Sequence, residues 1–442
     1  MAITHNLPLS EWYYSSVSEW TLDYPPFFAY LEWLLAAVAA RIDVKMLTLQ
    51  REAYFSKNAL LFQRFSVIVL DAFYAFACHF LSKHLLNFGK KLTDQHHHEM
   101  AFFALLLLNP VLILLDNVHF QYNAFMYGFL FVAIGLVIRQ RHLMGAFLFA
   151  ILLNFKHIFL YYVPAFAFFY AYAYLLPVLR VKNFHLATAL SHANALATVL
   201  ALPIFLAFGP FFYFGGLDGV SQIITRLFPF RRGLTHAYWA PNAWALYNFV
   251  DFALYKTLSK NSPLMGLIAA KNGTLSAPQY TRGLVVEYAH IVLPNITPAV
   301  TLVLIGLFCL PIILLLKQKH FDKAEKFLAS LTLSAFAFFV FGWHVHEKAV
   351  LMIFFPMLLL TFRNQRYFAA FEGLTVSAVF APFPLFFTPL ENALKLGVCV
   401  GYLLVHGGVF RHVFRVSSRS LTTRYALLLA ALDVYQSFIH KV

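Results

Sequence analysis

Long, uninterrupted apolar runs constrain this chain more than any other feature, because they recur along most of its 442 residues. Hydrophobic residues make up 61% of the chain and charged residues only 12%, whereas soluble domains contain about 45–50% and about 25%. A soluble core cannot bury that much apolar surface. A membrane β-barrel needs segments of about ten alternating residues, and these runs are longer and do not alternate. The sequence therefore predicts an all-α polytopic membrane protein and excludes a soluble enzyme, a disordered chain and a fibre.

We predict about 12 transmembrane helices from the apolar runs. The runs lie at residues 65–82, 100–115, 124–138, 143–153, 158–177, 186–208, 291–316, 327–342, 349–362, 367–387, 393–410 and 425–441. Pro25–Ala40 is also apolar, but it begins with two prolines and contains Glu32. We interpret it as an interfacial or re-entrant helix, because counting it as a span would reverse the sidedness of every later loop.

The loop charges predict the sidedness. The net charge is +14. In a soluble protein this charge would indicate a nucleic-acid surface, but here basic loops on one side of the membrane account for it. We therefore predict no nucleic-acid partner. Lysine and arginine recur in alternate loops, for example in 317–326, and are sparse in the loops between them. The positive-inside rule makes the basic side cytosolic. We therefore predict a luminal segment 1–58 with the interfacial helix, transmembrane helices within 59–208, a long luminal loop 209–290 and C-terminal transmembrane helices within 291–442.

Polar residues beside spans carry most of the functional information, because polar groups are costly in a bilayer. Four clusters lie on the predicted luminal side. The first surrounds Asp23 and Tyr24, just before Pro25-Pro26; it is either a helix start within an interfacial aromatic belt or a carboxylate presented to a sugar. The second, Asp116–Asn123, contains Asp116, His119, Gln121 and Asn123 in one short loop. It is either a turn or a hydroxyl-binding loop.

The third cluster combines Arg226, Arg231 and Arg232 with the aromatic residues Tyr238 and Trp239. Arginine forks match phosphate oxygens, but interfacial anchoring by arginine and tryptophan is the alternative. The fourth cluster is Gly342–Lys348.

In Gly342–Lys348, His346 or Lys348 could contact a phosphate, or Glu347 and Lys348 could neutralise each other. The spacing of His344 and His346 differs from the i, i+4 spacing of helical zinc sites, and we predict no metal site. Asp71 lies inside a predicted span; it is either a proton relay or a structural carboxylate paired with another helix.

These clusters resemble the dolichyl-phosphate-glucose-dependent glucosyltransferases of the endoplasmic reticulum, and among them the enzyme that adds the second glucose. The runs that carry the resemblance are Ser18–Ala29, Leu61–Ile68, His119–Asn123, Asn154–His157, Arg226–Gly233, His236–Asn242 and Gly342–Lys348. The resemblance implies a multi-span GT-C architecture in the endoplasmic reticulum membrane, with the active site facing the lumen and residues 59–208 as the catalytic module.

The resemblance implies transfer of glucose from dolichyl-phosphate-glucose, in α-1,3 linkage, to the monoglucosylated oligosaccharide on dolichyl diphosphate. It implies inversion at the sugar, so a base must deprotonate the acceptor hydroxyl, and it implies no metal or other cofactor. The residues expected to bind the substrates are Asp23, Tyr24, Asp116, His119, Gln121, Asn123, Lys156 and Trp239. Those expected to bind the donor phosphate are Arg226, Arg231, Arg232, His346 and Lys348.

The resemblance implies that two parts of the family pattern are missing, one of them the family's last spans at the C-terminus. Family members carry a first membrane helix and then a luminal Asp-Phe-Glu run, whose aspartate is the expected base, and the start of this sequence resembles the family's residues just after that run. We expect these 442 residues alone to transfer no glucose; the base is unassigned, and Asp23 is a candidate. The alternatives are the sister enzyme that adds the first glucose and a secondary transporter that uses Asp71 or Glu32, although the paired broken helices of transporters are not visible.

Overall fold

A computed structural model describes residues 1–17, 21–85, 92–180, 185–228, 233–235, 240–259, 263, 288–386, 388–416 and 420–435. Within these ranges the secondary structure is helical, and the one extended pairing is a parallel bridge between Thr235 and Val345. The apolar runs therefore form helices, which pair their backbone groups internally as a bilayer requires.

The described residues contain the following α-helices, in chain order. They are α1 (Ala2–Asn6), α2 (Pro26–Ile42), α3 (Lys57–Leu85), α4 (Leu92–Leu107), α5 (Pro110–Leu112), α6 (Asn123–Ile138), α7 (His142–Phe155), α8 (Val163–Tyr170), α9 (Leu176–Leu179), α10 (Leu186–Leu227), α11 (Ala243–Leu258), α12 (Pro298–Cys309), α13 (Pro311–Lys317), α14 (Lys323–Phe341), α15 (Leu351–Arg363), α16 (Phe368–Phe380), α17 (Pro389–Phe414) and α18 (Ser420–Val434). Segments Ile113–Val118 and Ala171–Leu175 are π-helical, and His157–Tyr162 and Glu347–Val350 are among the 3₁₀-helical turns.

Seven helical segments in the described part of the chain are long and apolar enough to cross a membrane. They are Lys57–Leu85, His96–Val118, His157–Leu179, Leu186–Leu227, Pro298–Lys317, Lys323–Phe341 and Leu390–Phe414. The helices Asn123–Ile138 and His142–Phe155 are apolar but shorter. The prediction of a helical multi-span membrane protein is confirmed, and the number of about 12 spans stays a prediction.

Two predicted boundaries differ from the helices in the structure. Helix α10 continues through residue 208, where the loop was predicted to begin, to Leu227, with non-helical angles inside it at Gly216 (φ 59°, ψ −151°). A side chain is disfavoured at such a φ, so the glycine permits the change of direction there. Helix α2 covers the predicted interfacial segment Pro25–Ala40 and ends two residues later, at Ile42. Its 17 residues extend over about 25 Å at 1.5 Å per residue.

The chain forms two compact units. The first contains Met1–Leu160, Ala167–Pro229 and Gly401–Ser417. Its centre is α6, which packs along both α3 and α7. Small residues let these helices approach closely: a Cβ on Gly128 would lie 2.8 Å from the ring of Phe73, and one on Gly135 would lie 2.7 Å from the ring of Phe80. This packing fixes the start of α6, where the Asp116–Asn123 loop ends.

The second unit contains Tyr161–Phe166, Phe230–Val400 and Ser418–Val442. Helix α14 packs along α15, which in turn packs on α16, around fully buried aromatic side chains such as Phe354 and Phe371. At one end of α14 and α15, Arg363 pairs with Asp322 and Arg366 pairs with Glu325. The opposite end of these two helices carries the segment Gly342–Lys348, so the helix pair fixes both ends of that segment.

Candidate active site

The buried carboxylate of Asp116 organises the polar cluster of the first unit. Asp116 is 1% exposed and lies in the π-helical segment Ile113–Val118; π-helical turns often mark functional sites. Its Oδ1 accepts a hydrogen bond from Asn123 Nδ2 (2.7 Å), and its Oδ2 accepts one from the backbone N–H of Ala124 (2.5 Å). The carboxylate therefore satisfies donors of the first turn of α6 and fixes the amide group of Asn123.

The ammonium group of Lys156 lies one hydrogen bond further from the carboxylate. Lys156 follows the last residue of α7 and has an extended backbone, and its Nζ donates to Asn123 Oδ1 (2.5 Å). The same Nζ lies 5.9 Å from the centre of the Tyr24 ring, within the range of a cation–π contact. Asp116, Asn123 and Lys156 thus form a chain that holds a cation beside an aromatic face.

Tyr24 connects this cation to Arg226 through the N-terminal segment. The Tyr24 ring packs on Phe28 with 4.4 Å between the ring centres, and its carbonyl accepts a hydrogen bond from Tyr13 Oη (2.7 Å). The carbonyl of Tyr13 in turn accepts one from Arg226 Nε (3.0 Å). Burial, together with the negative charge of Asp23, raises the pKa of Tyr24 to about 12, so its hydroxyl stays protonated at neutral pH.

The loop before α6 presents further polar groups. Gln121 Oε1 accepts a hydrogen bond from Asn123 Nδ2 (2.9 Å), whereas His119 is exposed on the same loop. Phe120, between them, has φ 56°, a left-handed conformation that is strained for a bulky residue. Strain of this kind persists where the surroundings enforce it and is concentrated at functional sites.

The segment Gly342–Lys348 in the second unit has the same kind of strain. His344 has φ 54°; its backbone N–H donates to the carbonyl of Leu234 (2.8 Å), and its Nδ1 donates to the carbonyl of Gly233 (3.2 Å). Gly342 has no room for a side chain, since a Cβ there would lie 2.3 Å from the carbonyl oxygen of Phe338. The backbone of this segment is therefore closely defined.

The side chains at the end of this segment place two histidines, an acid and a lysine together. The rings of His344 and His346 lie 5.7 Å apart. Glu347 is 3% exposed, and its burial raises the pKa of its carboxyl group, although the neighbouring Lys348 acts in the opposite direction. Half-buried Lys348 lies in the 3₁₀-helical turn Glu347–Val350.

The structure brings together most of the sugar-binding residues predicted from the sequence. Asp116, Gln121, Asn123 and Lys156 form one hydrogen-bonded group, Tyr24 contacts it, and Asp23 precedes Tyr24; His119 lies on the same loop, on the exposed side. Among the predicted phosphate-binding residues, Arg226 belongs to the first unit, and His346 and Lys348 belong to the second. Arg231, Arg232 and Trp239 lie outside the described residues.

Sequence reasoning missed the buried polar side chains of α11. Asn248 and Asp251 are each 0% exposed, and Asp251 accepts hydrogen bonds from the backbone N–H groups of Ile291, Val292 and Leu293 (3.1, 2.9 and 2.7 Å). An asparagine and an aspartate three residues apart share one helix face. That spacing, within an otherwise apolar stretch, was the signal that could have identified them.

The contacts also bear on the two alternatives for Asp71. Asp71 Oδ2 accepts a hydrogen bond from Asn117 Nδ2 (2.8 Å), which favours the structural interpretation over a proton relay. Within the described ranges, no group of three or more His, Cys, Asp or Glu side chains is placed so that it could hold a metal ion.

Comparison with known proteins gives one consistent result. The sequence model of the family described as "ALG6, ALG8 glycosyltransferase family" matches residues 1–442. A Caenorhabditis elegans protein named "Dolichyl pyrophosphate Glc1Man9GlcNAc2 alpha-1,3-glucosyltransferase" is 40% identical, over 100% of this chain and 57% of its own length. Proteins with the same name are 38% identical in Bos taurus, over 99% of this chain and 82% of the relative, and 39% identical in Schizosaccharomyces pombe, over 100% and 85%. The chain therefore spans little more than half of the Caenorhabditis relative and most of the other two.

Proposed function

The chain belongs to the ALG6, ALG8 glycosyltransferase family, and on that premise we propose that the full-length protein transfers glucose from dolichyl-phosphate-glucose to the monoglucosylated oligosaccharide on dolichyl diphosphate. The new bond is an α-1,3 linkage, and the product is the diglucosylated oligosaccharide. The protein works in the endoplasmic reticulum membrane, and its lipid substrates reach the site from the bilayer.

One observation carries the choice of acceptor. Relatives 37–40% identical over at least 99% of this chain bear a name that specifies the Glc1Man9GlcNAc2 acceptor. The sister activity, which adds the first glucose, is the alternative within the family. It differs only in the acceptor, so an acceptor comparison separates the two.

We propose that the first unit binds sugar through the Asp116–Lys156 chain. Asp116 and Gln121 hold the amide group of Asn123, and Asn123 Oδ1 holds the ammonium donor of Lys156 beside the aromatic face of Tyr24. Hydroxyl groups accept such donors, and an aromatic face suits the apolar side of a hexose. Asp23, His119, Gln121 and Trp239 complete the proposed sugar-binding set, with Asp23 the candidate for the base that deprotonates the acceptor.

We propose that cations stabilise the departing dolichyl phosphate. Charge builds up on the phosphate oxygens as the glycosidic bond breaks, and donors already in position lower the barrier most. Arg226 is held by its Nε on the carbonyl of Tyr13, while His346 and Lys348 belong to the strained segment of the second unit. Arg231 and Arg232 are the remaining proposed contacts.

We propose that the segments that carry these residues face the lumen. The support is the charge pattern: the loop 317–326 and the turn at 363–366 are rich in lysine and arginine, and the positive-inside rule makes that side cytosolic. The segments with the proposed site residues lie in the loops on the opposite side.

A two-acceptor assay tests the proposal. Purified full-length protein is incubated with dolichyl-phosphate-glucose and either the monoglucosylated or the unglucosylated dolichyl-diphosphate oligosaccharide, and products are resolved by mass spectrometry. We expect elongation of the monoglucosylated acceptor only. Digestion of the product with an α-1,3-specific glucosidase should remove the added glucose.

The controls decide between the alternatives. Elongation of the unglucosylated acceptor alone would assign the sister activity, and elongation of neither acceptor would refute the proposal. Replacing the donor with UDP-glucose should give no product, because that donor carries no dolichyl phosphate leaving group.

A further inference from the structure

We propose that Asn248, Tyr288 and Thr235 form a positioning network. Its hydrogen bonds connect α11 to the segment Gly342–Lys348 and hold that segment in the position from which it contacts the phosphate. None of the three residues belongs to the proposed substrate-binding set. The inference rests on the proposed function, because it assigns a role in transfer to residues that act through Lys348 and His346.

The network begins at the first turn of α11. Asn242 caps the helix, since its Oδ1 accepts hydrogen bonds from the N–H groups of Trp244 and Ala245 (3.1 and 3.2 Å). Trp244 Nε1 then donates to the carbonyl of Gly342 (2.8 Å). The start of the 342–348 segment is therefore tied to the start of α11.

One turn later, the fully buried Asn248 is the centre of a polar group that includes half-buried Tyr288. Its Nδ2 donates to Tyr288 Oη (2.9 Å) and to Thr235 Oγ1 (3.3 Å), and its Oδ1 accepts from His290 Nε2 (2.9 Å). Thr235 Oγ1 and Tyr288 Oη are also 2.7 Å apart. Both polar atoms of the Asn248 amide are thus used, and a buried polar group satisfied in this way rigidifies its surroundings.

Thr235 joins this group to the segment through its backbone. It pairs with Val345 in the parallel bridge, and the carbonyl of the preceding Leu234 accepts the backbone N–H of His344 (2.8 Å). His344 is the residue at φ 54°, a conformation that persists only when its surroundings over-determine it. The side chain of Thr235 therefore holds the backbone of Leu234 and Thr235 in place, and that backbone binds His344, the strained residue two positions before His346.

The functional consequence depends on the position of the segment. A displacement of a catalytic cation by about 1 Å can reduce a rate by about 100-fold. The network adds no contact to substrate, so its loss should lower kcat more than it changes KM. A tether that served folding alone would instead reduce the amount of folded protein and leave the turnover of the folded fraction unchanged.

The test pairs Thr235→Val, which removes the hydroxyl group at nearly constant volume, with Thr235→Ser, which keeps it. Thr257→Val is the matched control, because Thr257 is exposed on α11 and its hydroxyl donates locally, to the carbonyl of Ala253. We expect Thr235→Val to lower kcat by about 10- to 100-fold with KM for the acceptor changed less than about threefold, and we expect the serine variant and the Thr257 control to resemble wild type.

A double-mutant cycle identifies the route of the effect. In a Lys348→Ala background, Thr235→Val should lower kcat by less than about threefold, because residues that act through one group are not additive. Equal kcat values for Thr235→Val and wild type, or the full Thr235→Val effect repeated in the Lys348→Ala background, would overturn the inference.

Hydrogen exchange gives a second readout that does not depend on turnover. The backbone amide of His344 should exchange at least about tenfold faster in Thr235→Val than in wild type, and unchanged in Thr257→Val. Unchanged exchange in Thr235→Val would overturn the inference even if that variant expressed poorly. Tyr288→Phe is a second variant, which removes the hydroxyl group on the other side of the same network and should have a milder effect. Failure of wild type to transfer glucose would refute the proposed function, which is a result distinct from any difference between the variants.

Discussion

Replacing Asp116 with asparagine should destabilise the first unit, for a reason that the hydrogen bonds specify. Both carboxylate oxygens accept from donors, Asn123 Nδ2 and the N–H of Ala124. An asparagine at 116 offers one carbonyl and one NH₂ group, so in either orientation one of these donors faces another donor. Losing a charge-assisted hydrogen bond and leaving a buried donor unsatisfied costs on the order of 3 kcal/mol in total.

The expected loss is measurable by thermal unfolding in detergent. With an unfolding entropy of about 2.1 cal/mol/K per residue, a 442-residue chain should lose about 3 °C in midpoint for 3 kcal/mol. Asp71→Asn is the matched control, because Asp71 is half-buried and accepts one side-chain bond, from Asn117. Its midpoint should move by less than about 1 °C, since a single partly exposed hydrogen bond contributes about 1 kcal/mol.

A second substitution tests the link to the cation. Asp116→Asn leaves the ammonium of Lys156 on Asn123 without the nearby carboxylate charge, so adding Lys156→Met should cost less in the variant than in wild type, by about 1 kcal/mol. Additive effects, or an Asp116→Asn midpoint equal to that of wild type, would refute the interpretation of these three residues as one charged chain.

Three further predictions concern the rate, the topology and the pH dependence. Arg226→Ala and Lys348→Ala should each lower glucose transfer by about 30- to 1000-fold, because losing one charge-assisted contact to a departing phosphate costs on the order of 2–4 kcal/mol; near-wild-type turnover would favour the anchoring interpretation. An Asn-X-Thr acceptor engineered into 317–326 should stay unglycosylated, and a glycosidase-sensitive mass shift there would reverse the topology. Burial lowers the pKa of His290 below 6.5 despite the opposing charge of Asp251. As the pH falls below 6.5, the unfolded chain therefore binds a proton that the folded chain does not, and stability falls. His290→Gln should flatten the fall in the thermal midpoint between pH 7 and pH 5, and an unchanged slope would contradict this.

The sequence was most informative where function depends on contiguous residues. The seven helices long and apolar enough to cross a membrane lie at predicted spans, because hydropathy depends on the composition of one continuous stretch. The Asp116–Asn123 loop was identified as a polar cluster for the same reason, since its donors and acceptors are neighbours in the chain.

Contacts between distant residues were beyond the reach of that reasoning. Arg226 binds the backbone carbonyl of Tyr13, which no side-chain pattern reports. Lys395 and Asp433 form a buried ion pair (2.7 Å) across 38 positions, although each lies in an apolar stretch that hydropathy treats as uniform. Continuation of α10 past residue 208 was missed because Gly215, Gly216 and Asp218 are typical of a loop.

Disruption of the gene in its own cells tests the specificity for the monoglucosylated acceptor. The lipid-linked oligosaccharides are extracted and resolved by mass spectrometry, with a strain rescued by the intact gene as the reference. We expect the monoglucosylated oligosaccharide to accumulate and the diglucosylated one to disappear. Accumulation of the unglucosylated oligosaccharide, or a profile unchanged from the reference strain, would contradict this expectation.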